Sequence, residues 1–297
     1  MKAIGLTVHQ VRLAKGLTQQ EVYGGIVSRS FASRFESGSN DIGASKLFAI
    51  LDNLAISADE LRFIHQSYQP SPMEQALAQI HQYYAAANFT ALTDWVRDHQ
   101  HSPRAYEQLV ASYASILLIA YDHEAVHLTV ATRPAYRHLL TAKTWTVQEL
   151  KLANLLIPII ATTDGLPALA PLTTKMEKNC QRYQTQWGDP FNVLDNLIEF
   201  YGSLLQTYLN FHDYDNARTL KSKLKTIEAE HLNWDGRLSR QLWLGLWECY
   251  FGDWDLGQSL IDEVIAVEER HHPRIDNSLF AIRNVRVKQA REYRNNQ

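Results

Sequence analysis

A chain of 297 residues with 45% apolar and 21% charged residues is long enough for one large or two ordinary globular domains. Its net charge of −3 argues against coating nucleic acid without regard to sequence, and no apolar run approaches the roughly 20 residues that span a bilayer. No Lys/Arg-led apolar leader opens the chain, and two cysteines, Cys180 and Cys249, make no disulfide framework, so a cytoplasmic protein with reduced thiols is expected.

The first 65 residues read as five short helices. Val8, Val11 and Leu13 lie on the first, which ends at Lys15-Gly16. Thr18 and Glu21 have the spacing of a capping box, and Gly24-Gly25 breaks the helix they open. Ser28 is a suitable N-cap for a third helix and Gly38 a suitable residue just past its end. On that helix Phe31 and Phe35 fall one turn apart and face inward, which leaves Arg29, Ser30, Ser33 and Arg34 pointing away. A short helix that buries one apolar stripe and presents Arg and Ser suits the major groove, where Arg can hold guanine O6 and N7 together. Leu47, Ile50, Leu51 and Leu54 lie on a fourth helix, and Ser57-x-x-Glu60 opens a fifth containing Leu61 and Ile64.

The proline pair in Gln69-Pro70-Ser71-Pro72 marks a linker, placing a first domain at 1–66, the linker at 67–72 and a second domain at 73–297. Ser71-Pro72-Met73-Glu74 then starts a helix with Ser at the cap, Pro at the first position and Glu at the third. Helical segments follow at about 72–87, 90–99, 103–120, 124–140, 146–162, 172–187, 191–210, 215–231, 237–251, 254–271 and 275–294, with no convincing strand. A weak repeat joins them. Phe211-His-Asp-Tyr-Asp-Asn-Ala217 and Phe251-Gly-Asp-Trp-Asp-Leu-Gly257 share an aromatic–acid–aromatic–acid turn followed by a small residue, and Ala87-Asn88-Phe89 and Tyr121-Asp122-His123 are degenerate copies. Spacings of 34 and 40 residues bracket the period of tetratricopeptide-like helical pairs, which stack because no pair buries its apolar faces alone.

Five short helices in about 65 residues resemble the helix-turn-helix domain of the Cro/repressor class, and Arg12 and Glu36 match positions that often form an internal ion pair there. With the helical repeats behind it, the whole chain resembles the Rgg/GadR/MutR regulators. The likeness is carried by VRLAKGLTQQEV, SRSFASRFESG and NDIGASKLFAILDNLAISADEL within residues 10–64, and by LLTAKTWTVQELKLANLL at 139–156. The resemblance implies an all-α protein, a five-helix DNA-binding domain followed by a right-handed tetratricopeptide-like domain. It also implies a homodimer on a double-stranded DNA operator, controlled by a short linear signalling peptide in the concave groove and needing no cofactor.

Within that frame Gln19 is expected near the DNA backbone, Arg29 or Arg34 on guanine with Ser30 and Ser33 beside them, and Lys15, Asn40 and Lys46 on phosphates. Lys151 and Asn154 on one helix, and Asn192, Asn196 and Glu199 on another, give otherwise apolar helices a polar face able to pair with a peptide backbone. A competing pattern is His123-Glu124-Ala125-Val126-His127, a literal H-E-x-x-H that could hold zinc, with Glu149 as a third ligand, in a repressor-like protein fused to a metallopeptidase. It is set second: Asp122-His123 occupies a repeat turn, Thr146-x-x-Glu149 is itself a capping box, and the strands of such peptidases are missing from the pattern. No phosphate loop or nucleophile elbow occurs, so no enzyme is expected. Trp243 and Trp247 read as core and Trp254 as a turn staple, while Trp145 and Trp187 are the better candidates for a stacking role.

Overall fold

Side-chain oxygens of Ser, Thr, Asn and Asp cap many of the helix starts in this protein. The computed structural model describes residues 3–86, 88–121, 128, 130, 132–271 and 277–296. Among these there are sixteen α-helices and no strand, only an isolated antiparallel bridge between Thr185 and Gly188. The chain divides into two units, Met1–Ala86 and Ala87–Gln297.

The first unit holds α1 (Ile4–Ala14), α2 (Gln19–Tyr23), α3 (Arg29–Glu36), α4 (Ala44–Leu54), α5 (Ala58–His65) and α6 (Pro72–Ala85). Thr18 Oγ1 accepts from the Glu21 N–H while the Thr18 N–H donates to Glu21 Oε2, so two orphan donors at the start of α2 are satisfied reciprocally. Ser28 caps α3 through the Phe31 N–H, Ser57 caps α5 through the Glu60 N–H, and Ser71 and Glu74 form a second full box at α6. Gly38, at φ 77°, turns the chain out of α3 in a conformation that costs most residues a Cβ clash. Val8, Val22, Ala32, Phe35, Ile50, Leu51, Leu54 and Leu61 close one core. Phe35 is fully buried and Phe31 only partly so. Leu13, also on α1, is 57% exposed: it falls two positions beyond Val11, on the far side of a 3.6-residue turn.

The second unit holds α7 (Phe89–His99), α8 (Ala105–Tyr121), α9 (Arg133–Thr141), α10 (Val147–Asp164), α11 (Leu169–Gln181), α12 (Val193–Asn210), α13 (Tyr214–Thr226), α14 (Trp234–Phe251), α15 (Trp254–His271) and α16 (Asn277–Asn295). The repeated turn has a visible cause. Asp213 accepts from the Asn216 N–H and Asp253 from the Leu256 N–H, so the acid of each copy caps the next helix, as Asn88 does for α7. The small residues let helices touch: Ala217 is fully buried, and a Cβ on Gly257 would lie 2.7 Å from the Cys249 backbone nitrogen. Tyr214 packs on Phe251 and Tyr293, tying one repeat to the next.

The helices α8, α10, α12, α14 and α16 pack consecutively on one another, whereas α11, α13 and α15 pack on those helices rather than extensively among themselves. Neighbours that touch lie on the shorter arc of a curved stack, so the even-numbered helices form the inner rank of a tetratricopeptide-like repeat. Trp145 belongs to the core, 1% exposed, with its indole N–H on the Leu139 carbonyl, because the α9–α10 turn folds it under α11. Trp187 sits 88% exposed at the bridged turn after α11, which ends at Gln181 rather than near 187. No helix among the described residues is long and apolar enough to cross a membrane.

Candidate nucleic-acid interface and inner helical face

One carboxylate fixes α3 from behind. Arg12 Nε donates to Glu36 Oε1 at 2.6 Å and a second guanidinium nitrogen to Oε2 at 2.8 Å, while a third nitrogen holds the Leu17 carbonyl. Tyr23 Oη donates to Glu36 Oε1, Gln19 Nε2 donates to Oε2, and His9 Nδ1 lies 2.9 Å from the same oxygen. Helix α1, helix α2 and the end of α3 are thereby joined at one buried point. Burial pushes the Glu36 carboxyl up, but the donors from Arg12, Gln19 and Tyr23 outweigh it and hold the group at about 2. The same bond raises the Arg12 guanidinium, and burial followed by the bond to Glu36 raises the Tyr23 hydroxyl.

The opposite side of α3 is open. Arg29, Ser30, Ser33 and Arg34 are all exposed, and among the described residues neither the Arg29 nor the Arg34 guanidinium has a hydrogen-bond, ion-pair or ring partner. The contrast with Arg12 is chemical: one guanidinium is spent on the fold and two are free for a planar acceptor. Ser33 Oγ reaches back to the Arg29 carbonyl and to Gln19 Oε1, so Gln19 links the hub to the exposed face instead of standing free of the fold. Ser30 Oγ lies 3.3 Å from Ser28 Oγ. Lys46 is exposed in the first turn of α4, and Asn40 is half-buried with its N–H on the Arg34 carbonyl. The Lys15 ammonium donates to the Ala55 carbonyl at the turn after α4, a contact the sequence did not suggest.

On the inner rank, Asn196, Glu199, Ser203 and Gln206 recur every three or four residues and are partly exposed, while the rest of that stretch of α12 is buried. Across the α10–α12 contact, Ser203 Oγ donates to Asn154 Oδ1 at 2.5 Å, which brings Asn154 beside the α12 stripe. Lys151 is exposed one turn earlier on α10. Asn192 is exposed and left-handed (φ 52°) just before α12, where its carbonyl accepts from the Asn196 side chain. Ser203 and Gln206 were missed in the sequence, although their spacing from Asn196 and Glu199 carries the signal.

His123, Glu124 and His127 lie outside the described residues. Glu149 is described, and its carboxylate accepts from the Thr146 N–H and Oγ1 and lies 2.8 Å from His138 Nε2, so it serves the start of α10. The described groups that bring three metal-ligating atoms together are Glu228, Glu230 and His231, all exposed on one turn.

Comparison with known proteins places this geometry. Residues 8–61 match the family described as helix-turn-helix. Among curated proteins no sequence matches significantly. Among solved structures, a Listeria monocytogenes EGD-e protein described as a transcriptional regulator superposes with a TM-score of 0.73 at 18% identity, over 99% of this chain and 98% of that one. The Streptococcus dysgalactiae SHP pheromone receptor Rgg2 superposes with a TM-score of 0.65 at 17% identity, over 99% and 100%. Bacillus thuringiensis PlcR, solved with the peptide PapR7 and DNA, gives 0.66 at 13% identity, over 97% and 99%. The chain therefore joins a helix-turn-helix domain at residues 8–61 to tetratricopeptide-like repeats in the full-length fold shared by Rgg2 and PlcR.

Proposed function

We propose that this protein is a cytoplasmic, homodimeric, sequence-specific transcriptional regulator of the Rgg type, controlled by a short linear peptide. The observation that carries the reading is the pair of unpartnered guanidinium groups, Arg29 and Arg34, on a helix locked from behind by the Glu36 hub. In it, Arg29 or Arg34 contacts guanine, Ser30 and Ser33 flank them, and Gln19, Asn40, Lys46 and Lys15 lie toward the DNA backbone. Two copies read half-sites one helical turn, about 34 Å, apart. The peptide occupies the inner rank, where Lys151, Asn154, Asn192, Asn196 and Glu199 offer donors and acceptors to its main chain. Control follows when the peptide binds one arrangement of the dimer better than another.

The test is selection of binding sites from a random duplex pool by the full-length protein. A two-fold-related consensus with half-sites one turn apart is expected, and it should vanish for Arg29→Ala/Arg34→Ala. If no sequence is enriched, or the double variant enriches the same one, the reading fails.

A further inference from the structure

The face of α12 that meets α14 is polar where a helix contact would ordinarily be apolar. Asp195, Glu199 and Gly202 follow one another at i, i+4 and i+7, opposite Gly236, Ser239 and Trp243 on α14. Gly236 gives room for Asp195: a Cβ there would lie 1.8 Å from Asp195 Oδ1. Glu199 accepts from the Ser239 hydroxyl. The Trp243 indole fills the space left by Gly202.

This seam is short of partners and lopsided in charge. Asp195 Oδ1 is buried with no hydrogen-bond partner among the described residues, and so is Oδ1 of Asp189, whose other oxygen holds the Leu194 N–H. The Trp243 indole N–H, on a side chain in a residue only 5% exposed, is a third orphan. Among the described residues no Lys, Arg or His forms an ion pair with Asp189, Asp195, Glu199 or Asp235. The cations nearest in sequence on α14 are occupied elsewhere: Arg237 donates to the Ala229 and Leu232 carbonyls and Arg240 to that of Leu224. Burial raises both Asp195 and Glu199. The Asn233 N–H and the Ser239 hydroxyl oppose it respectively, while the charges of Asp189 and Asp235 on Asp195, and of Asp195 on Glu199, add to it. No three of these carboxylates bring oxygens within 4.8 Å of one another, as a shared metal ion requires.

We propose that the ligand of the inner rank carries an ammonium or guanidinium group, received between Asp195 and Glu199 at the α12–α14 seam. The inference rests on the peptide-sensing reading above and adds the chemistry of the peptide: a Lys or Arg side chain, or a free N-terminus, in an otherwise apolar sequence. Half-buried carboxylates without a counter-charge are costly, and a ligand cation removes that cost only when it binds.

The probe is a pool of synthetic octapeptides with an apolar background. Lys, Arg, norleucine, Gln or Glu is placed at each position in turn, with free or acetylated N-termini. Peptides retained by full-length protein are quantified by mass spectrometry. Lys or Arg peptides are expected to be retained about tenfold over their Gln counterparts at one position, with the ratio falling to about one for Asp195→Asn/Glu199→Gln. If free peptides are retained alike whatever their side chains and acetylation lowers the retention of all of them about tenfold, the N-terminal ammonium is the cation and the proposal stands. Equal retention of cationic and neutral peptides with acetylation also without effect, or an unchanged ratio in the isosteric variant, overturns the proposal alone. If no peptide of any charge is retained, the peptide-sensing reading fails and this one with it.

Discussion

Glu36 in the first unit and Glu199 in the second are both glutamates in helix contacts, and they are treated in opposite ways. Glu36 receives hydrogen bonds from Arg12, Gln19 and Tyr23 and is held at about 2. Burial raises the Glu199 carboxyl, with only one neutral donor, Ser239, to oppose it and the charge of Asp195 adding to it. Surrounding a carboxylate with donors turns it into a clamp, whereas leaving it with other carboxylates makes the site depend on what arrives. The hub fixes the geometry of a reading helix. The α12–α14 seam leaves something to bind.

Four measurements break or sharpen that contrast. Arg12→Ala leaves Glu36 buried without its main counter-charge and should destabilise the first unit by about 3–5 kcal/mol. All seven tryptophans lie beyond residue 86, so this loss should appear in amide exchange of residues 3–86 while tryptophan fluorescence reports an unaltered second unit. An effect under about 1 kcal/mol would remove the hub from its structural role. Arg29→Ala and Arg34→Ala should leave stability alone and cost about 1–3 kcal/mol of operator affinity each, with relaxed preference at one base pair apiece. Gly202→Ala places a Cβ 2.1 Å from the Trp243 ring and should cost about 1–3 kcal/mol through overpacking. It should also shift tryptophan emission, and a silent substitution would mean that α12 and α14 are not in the register described.

The smallest effect is on pH. The folded Glu36 carboxyl is depressed from an ordinary 4.5 to about 2, so its contribution is fully present above about 4.5 and is lost as pH falls toward about 2. Asp195 and Glu199 are raised, so their contribution is present below their ordinary values and is lost as pH rises through the raised ones. Acidification should thus tighten the second unit first, as pH falls toward about 4.5, and loosen the first unit only below about 4.5. Parallel behaviour in amide exchange of the two units would contradict the contrast.

Much of the first unit was legible because its signals are local. Thr18 with Glu21, Ser28 with the Phe31 N–H and Gly38 at positive φ all act within one helical turn, so spacing alone predicts them. The repeated turns at Asp213 and Asp253 were legible for the same reason. The burial of Trp145 was read less well, since it depends on the facing element and not on the residue's own neighbours in sequence. Nothing in the sequence pointed to His9 at Glu36 or Lys15 at Ala55.

The sequence by itself determined the helices, their caps and the polar stripe of α12, since these follow from periods of three to four residues and from side chains that satisfy their own backbone. Helical spacing and the family resemblance already set Arg29 and Arg34 apart from the Arg12–Glu36 pair, whereas tertiary structure alone brought Gln19, Tyr23 and His9 onto Glu36, because α1, α2 and α3 meet there. It decided likewise that Asp195 and Glu199 face Gly236 and Ser239 and no cation. That pairing depends on the register of two helices some forty residues apart, which no local pattern encodes.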